Sequence, residues 1–260
     1  MSHFEALILG ILQGLTEFLP VSSSGHLAIG QELFGVNSPG VLFEVVLHTA
    51  TVLSTIIVFR KEILGLLSGL FKFELNYETR YIFNIAISMI PVLIIGIFFK
   101  DYVEQIFGSG LTIVGISLLV TSALLFLTTV IKPGNGDITP GRALIVGIAQ
   151  AIAVLPGLSR SGATISAGLL SGVKREEIAK FSFLMVLVPI LGEAFLSIVS
   201  GEVSEASAGI GFSVLLTGFV AAFVSGLFAC KIMINIVKRV KLTAFAIYCA
   251  VAGILALALL

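Results

Sequence analysis

The chain has 260 residues, of which 57% are hydrophobic and 12% charged, with formal charges that cancel and a mean hydropathy of +1.13. Those values exclude a soluble globular surface and leave no net charge to draw nucleic acid or another polyanion. The two cysteines, Cys230 and Cys249, stand apart in apolar segments, which excludes a disulfide framework or a zinc site of recognisable spacing.

In chain order, residues 4–19 form the first apolar run. It lacks a basic leader and contains Gln13 and Glu17, so it reads as a retained segment rather than a cleaved signal. Pro20, the serines Ser22, Ser23 and Ser24, and Gly25 stop it short of the roughly 20 residues a span requires. A second short apolar piece follows at 25–35, so the two read as half-helices joined at a polar tip. Such a re-entrant hairpin is tolerated at membrane depth only where protein or a water-filled cavity satisfies the broken backbone. Residues 42–59, 81–99 and 111–131 are long enough for full spans, and 132–141, dense in Pro, Gly and Asn, reads as a surface loop. Residues 143–172 repeat the interrupted pattern, broken at 156–162, and three more spans are expected at 178–200, 211–230 and 242–260.

Sliding the chain by 137 positions superposes the two interrupted segments: Gln13 falls on Gln150, Ser22 on Ser159, Ser24 on Ser161 and Gly25 on Gly162. One hairpin plus three spans per copy, an odd number, requires the second copy to be inverted. The expected architecture is therefore all-α: one polytopic integral membrane domain, 1–260, with six full transmembrane helices and two re-entrant helical hairpins, in two inverted repeats of about 1–132 and 143–260. With both termini outside, thirteen of the fifteen Lys and Arg residues fall on the inner side, in 60–80, 132–142, 174–180 and 231–241. That asymmetry is the positive-inside pattern, and it sends the two hairpin tips toward the midplane from opposite faces.

The second half-helix of each hairpin starts at the tip, so its free N–H groups and positive dipole end favour an anion there. Ser23 or Ser24 can cap one of these helices and Ser159 or Ser161 the other, or these serines can contact a ligand. Arg160 is a guanidinium at membrane depth, which needs either a fixed carboxylate such as Glu17 or a bound phosphate. Gln13 and Glu17 share a helix face one turn below the first tip, and His26 begins the next half-helix, so an acid–base group, hydroxyls and an imidazole lie close together. The copies differ: Val154 and Ala163 stand where the first has Glu17 and His26, and Arg160 stands where it has Ser23. One tip offers reacting groups and the other an anion clamp of Ser159, Arg160, Ser161 and Thr164. His48, with Glu44 one turn before it, could line the pocket mouth or simply anchor a span at the interface.

Two stretches, residues 13–26 and Pro156 to Thr164, resemble the undecaprenyl-diphosphate phosphatase family of bacteria, the bacitracin-resistance phosphatases, and the similarity extends over essentially the whole chain. The resemblance implies hydrolysis of undecaprenyl diphosphate to the monophosphate carrier of peptidoglycan synthesis, with resistance to bacitracin. It places the protein in the bacterial inner membrane with an active site open to the outer face. It implies roles for Glu17, Ser23, His26 and Arg160 in catalysis, and for Ser22, Ser24, Ser159, Ser161 and Thr164 around the phosphates. It further implies help from a divalent cation, magnesium or calcium, near Glu17 and Gln13, where some members carry Glu in place of Gln13, and no organic cofactor. The partners expected are the polyprenyl diphosphate, membrane lipids and, as an open option, a second copy of the chain, with no nucleic acid. Ser23 as nucleophile, with His26 or Glu17 as its base, stands beside attack by water or by His26 itself. A lipid-phosphate flippase or transporter is the alternative function, because inverted repeats of broken helices are also transporter architecture.

Overall fold

The computed structural model describes residues 1–36, 40–107, 110–132, 134–199 and 210–258. Pro133 of the expected loop, the end of the span at 200, and the last two residues of the 242–260 span lie outside that set. The described residues form helices and no β-strand: α1 (His3–Phe18), α2 (Ser23–Phe34), α3 (Gly40–Val58), α4 (Arg60–Leu70), α5 (Tyr77–Phe98), α6 (Lys100–Phe107), α7 (Leu111–Val130), α8 (Pro140–Ile152), α9 (Arg160–Leu170), α10 (Arg175–Met185), α11 (Leu187–Val199), α12 (Phe212–Arg239) and α13 (Thr243–Ala258). Several are long and apolar, as a multi-pass membrane protein requires, and large hydrophobic side chains such as Phe83, Phe98, Phe126 and Phe228 lie exposed along them, where lipid would cover them.

Local chemistry explains where the helices start and stop. Ser2 opens α1 with a capping box: its hydroxyl accepts from the Glu5 N–H, and the Glu5 carboxylate accepts from the Ser2 N–H at 2.8 Å. Pro20 follows the end of α1, and Ser22 caps α2 by accepting from the Gly25 N–H at 3.2 Å. In the second short pair, α8 starts behind Thr139 with Pro140 in its first turn, and α9 starts behind Ser159, whose hydroxyl accepts from the Gly162 N–H at 3.1 Å.

Four helical stretches have span length and composition, Tyr77–Phe98, Leu111–Val130, Arg175–Leu196 and Phe212–Lys238, and a fifth results if α3 and α4 count as one span bent by 73°. Among the described residues, only one of the straight spans expected from sequence is bent, the 42–59 stretch where it meets α4. Arg175–Leu196 still counts as one span, although a helical hydrogen bond is missing where Pro189 has no N–H to give the Met185 carbonyl and α10 passes into α11 at Val186. The 42–59 stretch ends at buried Phe59, where Arg60, Lys61 and Glu62 turn the chain away as α4. The last helix, α13, has 16 described residues and reaches only about 24 Å at the usual rise.

Close packing of small residues brings the short helices into the bundle. α1 lies along α12, and a Cβ on Gly10 would fall 2.5 Å from the Gly218 carbonyl oxygen and 2.8 Å from the Ala221 Cβ. α8 lies along α5 in the same way, with Gly147 against the Ser88 backbone. Backbones this close need glycine at the contact. Gly10→Ala is therefore expected to cost about 1–3 kcal/mol by overpacking, read as a lower unfolding midpoint in detergent.

Candidate active site

The two interrupted pairs meet at their tips, between the end of α1 and the start of α2 on one side and the 153–159 turn before α9 on the other. Two hydrogen bonds join them: the Gly157 N–H donates to Ser24 Oγ at 3.3 Å, and Ser161 Oγ donates to the Leu19 carbonyl at 3.2 Å. Gly157 has φ +85°, open to glycine at little cost, and it lies so close to α2 that a Cβ on Gly25 would be 3.1 Å from its Cα. Ser22 takes φ +72°, which is strained for serine and is held by its cap to Gly25 and by the ring of His26. The tip geometry is over-determined, as a site for positioned chemistry requires.

Beside this junction lies a cavity of about 510 Å³ lined by Glu17, Ser23 and Ser24 from the first pair, Ser159, Arg160 and Ser161 from the second, and His48 and Glu44 from α3. Glu17 is its centre of contacts. Its Oε2 accepts from Ser23 Oγ at 2.5 Å and from Gln13 Nε2 at 3.0 Å, and His48 Nε2 stands 3.8 Å away. A serine that donates to a carboxylate is arranged to lose its proton to it. The Arg160 guanidinium lines the same cavity and forms no hydrogen bond or close ion pair among the described residues, although its charge acts on the Glu17 carboxylate through space. A guanidinium beside hydroxyls and the N-terminus of α9 has the chemistry to take an anion.

No three His, Cys, Asp or Glu side chains cluster to hold a metal among the described residues. Glu17 alone, with the buried, unpartnered Gln13 Oε1 beside it, suits a cation that keeps most of its ligands from a substrate phosphate rather than a protein-built cage.

The family described as "Bacitracin resistance protein BacA" matches residues 6–255. The chain is 58% identical to a protein of Parabacteroides distasonis named "Undecaprenyl-diphosphatase", over 99% of this chain and 98% of that one. It is 59% identical to a protein of Bacteroides fragilis with the same name, over 98% of this chain and 97% of that one, and 40% identical to one of Korarchaeum cryptofilum over the full length of both. The chain belongs to the BacA family.

Within this BacA-family site the candidate residues separate into two groups. Glu17, Ser23, Ser24, Ser159, Arg160 and Ser161 share the cavity, and Gln13 supports Glu17 from below. Ser22 and His26 stand behind it, and Thr164 lines a smaller cavity that Glu17, Arg160 and Ser161 also border. Ser22, not Ser23 or Ser24 as the sequence suggests, is the cap of α2, because the hydroxyls of Ser23 and Ser24 are taken by Glu17 and the Gly157 N–H; Thr164 donates to the Arg160 carbonyl at 2.9 Å and shares a hydrogen bond with Ser182 at 2.5 Å, which fixes the first turn of α9. His26 does not line the cavity. Its Nδ1–H donates to the Ser22 carbonyl at 2.8 Å, so the Nε2 of the neutral ring accepts from the Tyr248 hydroxyl at 2.7 Å, with the two rings stacked 5.5 Å apart. The imidazole thereby ties the first tip to α13, and the hydroxyl of Ser23 faces Glu17 instead.

Three supporting groups of the BacA-family site escape sequence reading. Tyr248 holds His26; Thr121 on α7 accepts from the Ser159 N–H at 3.0 Å; Ser182 on α10 meets Thr164. Each is a hydroxyl on a helix distant in sequence from the tips, and its only signal is that a hydroxyl at membrane depth needs a partner.

Proposed function

We propose that this chain hydrolyses undecaprenyl diphosphate to undecaprenyl phosphate and inorganic phosphate, the activity for which its relatives are named. The observation that carries the reading is the Ser23–Glu17 hydrogen bond of 2.5 Å facing an unpaired Arg160 in one cavity: a nucleophile with its base, opposite an anion clamp. The diphosphate lies between the tips, its terminal phosphate oxygens on Arg160, on Ser159 and Ser161, and at the N-terminal ends of α2 and α9. Ser23 Oγ attacks the terminal phosphorus, its proton passing to Glu17, and the bond from that phosphorus to the bridging oxygen breaks, releasing undecaprenyl phosphate. Water then attacks the phosphoserine, the bond from phosphorus to Ser23 Oγ breaks, Glu17 returns the proton it took to that oxygen, and the protons of the water leave on the inorganic phosphate. Arg160 and the serines stabilise the charge that grows on the transferring oxygens. A magnesium or calcium ion arriving with the diphosphate would be held from the protein side by Glu17, with the Gln13 amide oxygen nearby, and would offset phosphate charge.

The same reading extends to architecture. The two halves form an inverted repeat with the α1–α2 and α8–α9 pairs re-entrant. It is supported by the first residues of α2 and α9, Ser23 and Arg160, which lie 137 positions apart, and by the exchange of partners, α1 with α12 and α8 with α5. The cavity is bordered by Glu32, Val36 and Gly110, far along the chain from the basic loops, which supports termini outside and a site reached from the outer face of the inner membrane. Removal of the diphosphate from that face accounts for the family's link to bacitracin resistance.

Ser23→Ala, purified in detergent and given undecaprenyl diphosphate, is expected to lose phosphate release by at least about a hundredfold, since a carboxylate cannot replace the missing oxygen nucleophile. Near wild-type turnover would remove the serine from the mechanism.

A further inference from the structure

Glu17 carries a contact that neither hairpin supplies. His48 lies on α3, lines the cavity, and brings Nε2 to 3.8 Å from Glu17 Oε2, the oxygen that also takes the Ser23 hydrogen bond. Its backbone is fixed: Gln31 of α2 donates to Glu44, one turn earlier on α3, at 3.2 Å, and the His48 carbonyl accepts from Thr51 at 2.8 Å. The Glu17 side chain is only 9% exposed, and a buried carboxylate needs polar or cationic neighbours to stay in place. Arg160 is one cation at the cavity, but a bound diphosphate engages it. His48, lining the cavity from α3, then remains beside the Glu17 carboxylate, while Gln13 donates to the same oxygen from within α1.

We infer that His48 is a positioning residue for the hydrolysis: its Nε2 holds the Glu17 carboxylate against Ser23 while the substrate occupies Arg160. The inference rests on the hydrolase reading. It implies that a polar group at the reach of Nε2 matters for the chemical step and little for substrate binding, because His48 acts through the base.

The test compares His48→Phe, which keeps a ring and loses the polar nitrogen, with His48→Gln, which keeps a polar donor. Phosphate release from undecaprenyl diphosphate is measured over substrate concentration, alongside unfolding midpoints. The expected result is a kcat lowered about tenfold to a hundredfold in His48→Phe, a KM within about threefold of wild type, and a kcat in His48→Gln recovered at least about fivefold above the Phe variant. If His48→Phe does not fold, His48→Asn takes its place, since its shorter amide cannot reach, and the same gap to His48→Gln is expected. A kcat for His48→Phe within twofold of wild type, equal losses in both variants, or a loss confined to KM would each overturn the inference. Wild-type protein that releases no phosphate removes the hydrolase reading and this inference with it, whereas wild-type turnover with an unaffected Phe variant counts against His48 alone.

Discussion

Arg160→Ala is expected to lower kcat for phosphate release by about a hundredfold to a thousandfold, the usual cost of removing one preorganised donor to transition-state charge. The guanidinium makes no hydrogen bond or close ion pair among the described residues, so the main effect of its loss is expected on the ligand. Arg160→Lys separates charge from geometry. A lysine restores the positive charge but not the planar fork, so it should recover part of the activity and remain well below wild type. Steady-state kinetics with unfolding midpoints as a fold control makes the comparison, and an alanine variant within tenfold of wild type would mean that Arg160 does not hold the phosphate.

The second large effect is expected at Glu17→Gln, which keeps the shape of the side chain and removes its capacity to take a proton. General-base catalysis contributes about 10²–10⁴ in rate, and kcat should fall by that order while the lipid still binds. The amide can retain contacts to Ser23 and Gln13, so a folded, binding-competent and nearly inactive protein is the expected state. Lipid binding measured separately from turnover checks it. A Gln variant that turns over at the wild-type rate would transfer the role of base away from Glu17.

Much of this site is legible in the sequence because polar groups are costly in hydrocarbon, and so each one in an apolar run carries information. Pro20 and the 156–162 stretch mark the two helix breaks, and the serines at the breaks serve as caps, Ser22 for α2 and Ser159 for α9. The internal similarity at a spacing of 137 pairs Ser23 with Arg160, and both face one cavity. What periodicity and spacing do not carry is long-range partnership. His26 sits two residues from Ser24, which suggests shared chemistry, yet helix geometry turns its ring toward α13, where Tyr248 meets it. His48 is 31 positions from Glu17 and looks like an interfacial residue until the packing of α3 beside α1 brings the two together. The single span read across Pro189 is kept, whereas the sharp bend between α3 and α4 after Phe59 carries no signal in the apolar run before it. Helix bends and cross-bundle hydrogen bonds depend on tertiary packing, and the hydrophobic pattern does not distinguish them from straight spans.

The central claim is that the two tips together form a hydrolytic site for a lipid diphosphate. Its most direct test is a single measurement on the purified wild-type chain in detergent: inorganic phosphate and lipid product counted after incubation with undecaprenyl diphosphate. One phosphate released for each undecaprenyl phosphate formed is the predicted result. Intact diphosphate with no phosphate released, from protein that is folded and binds the lipid, would contradict it.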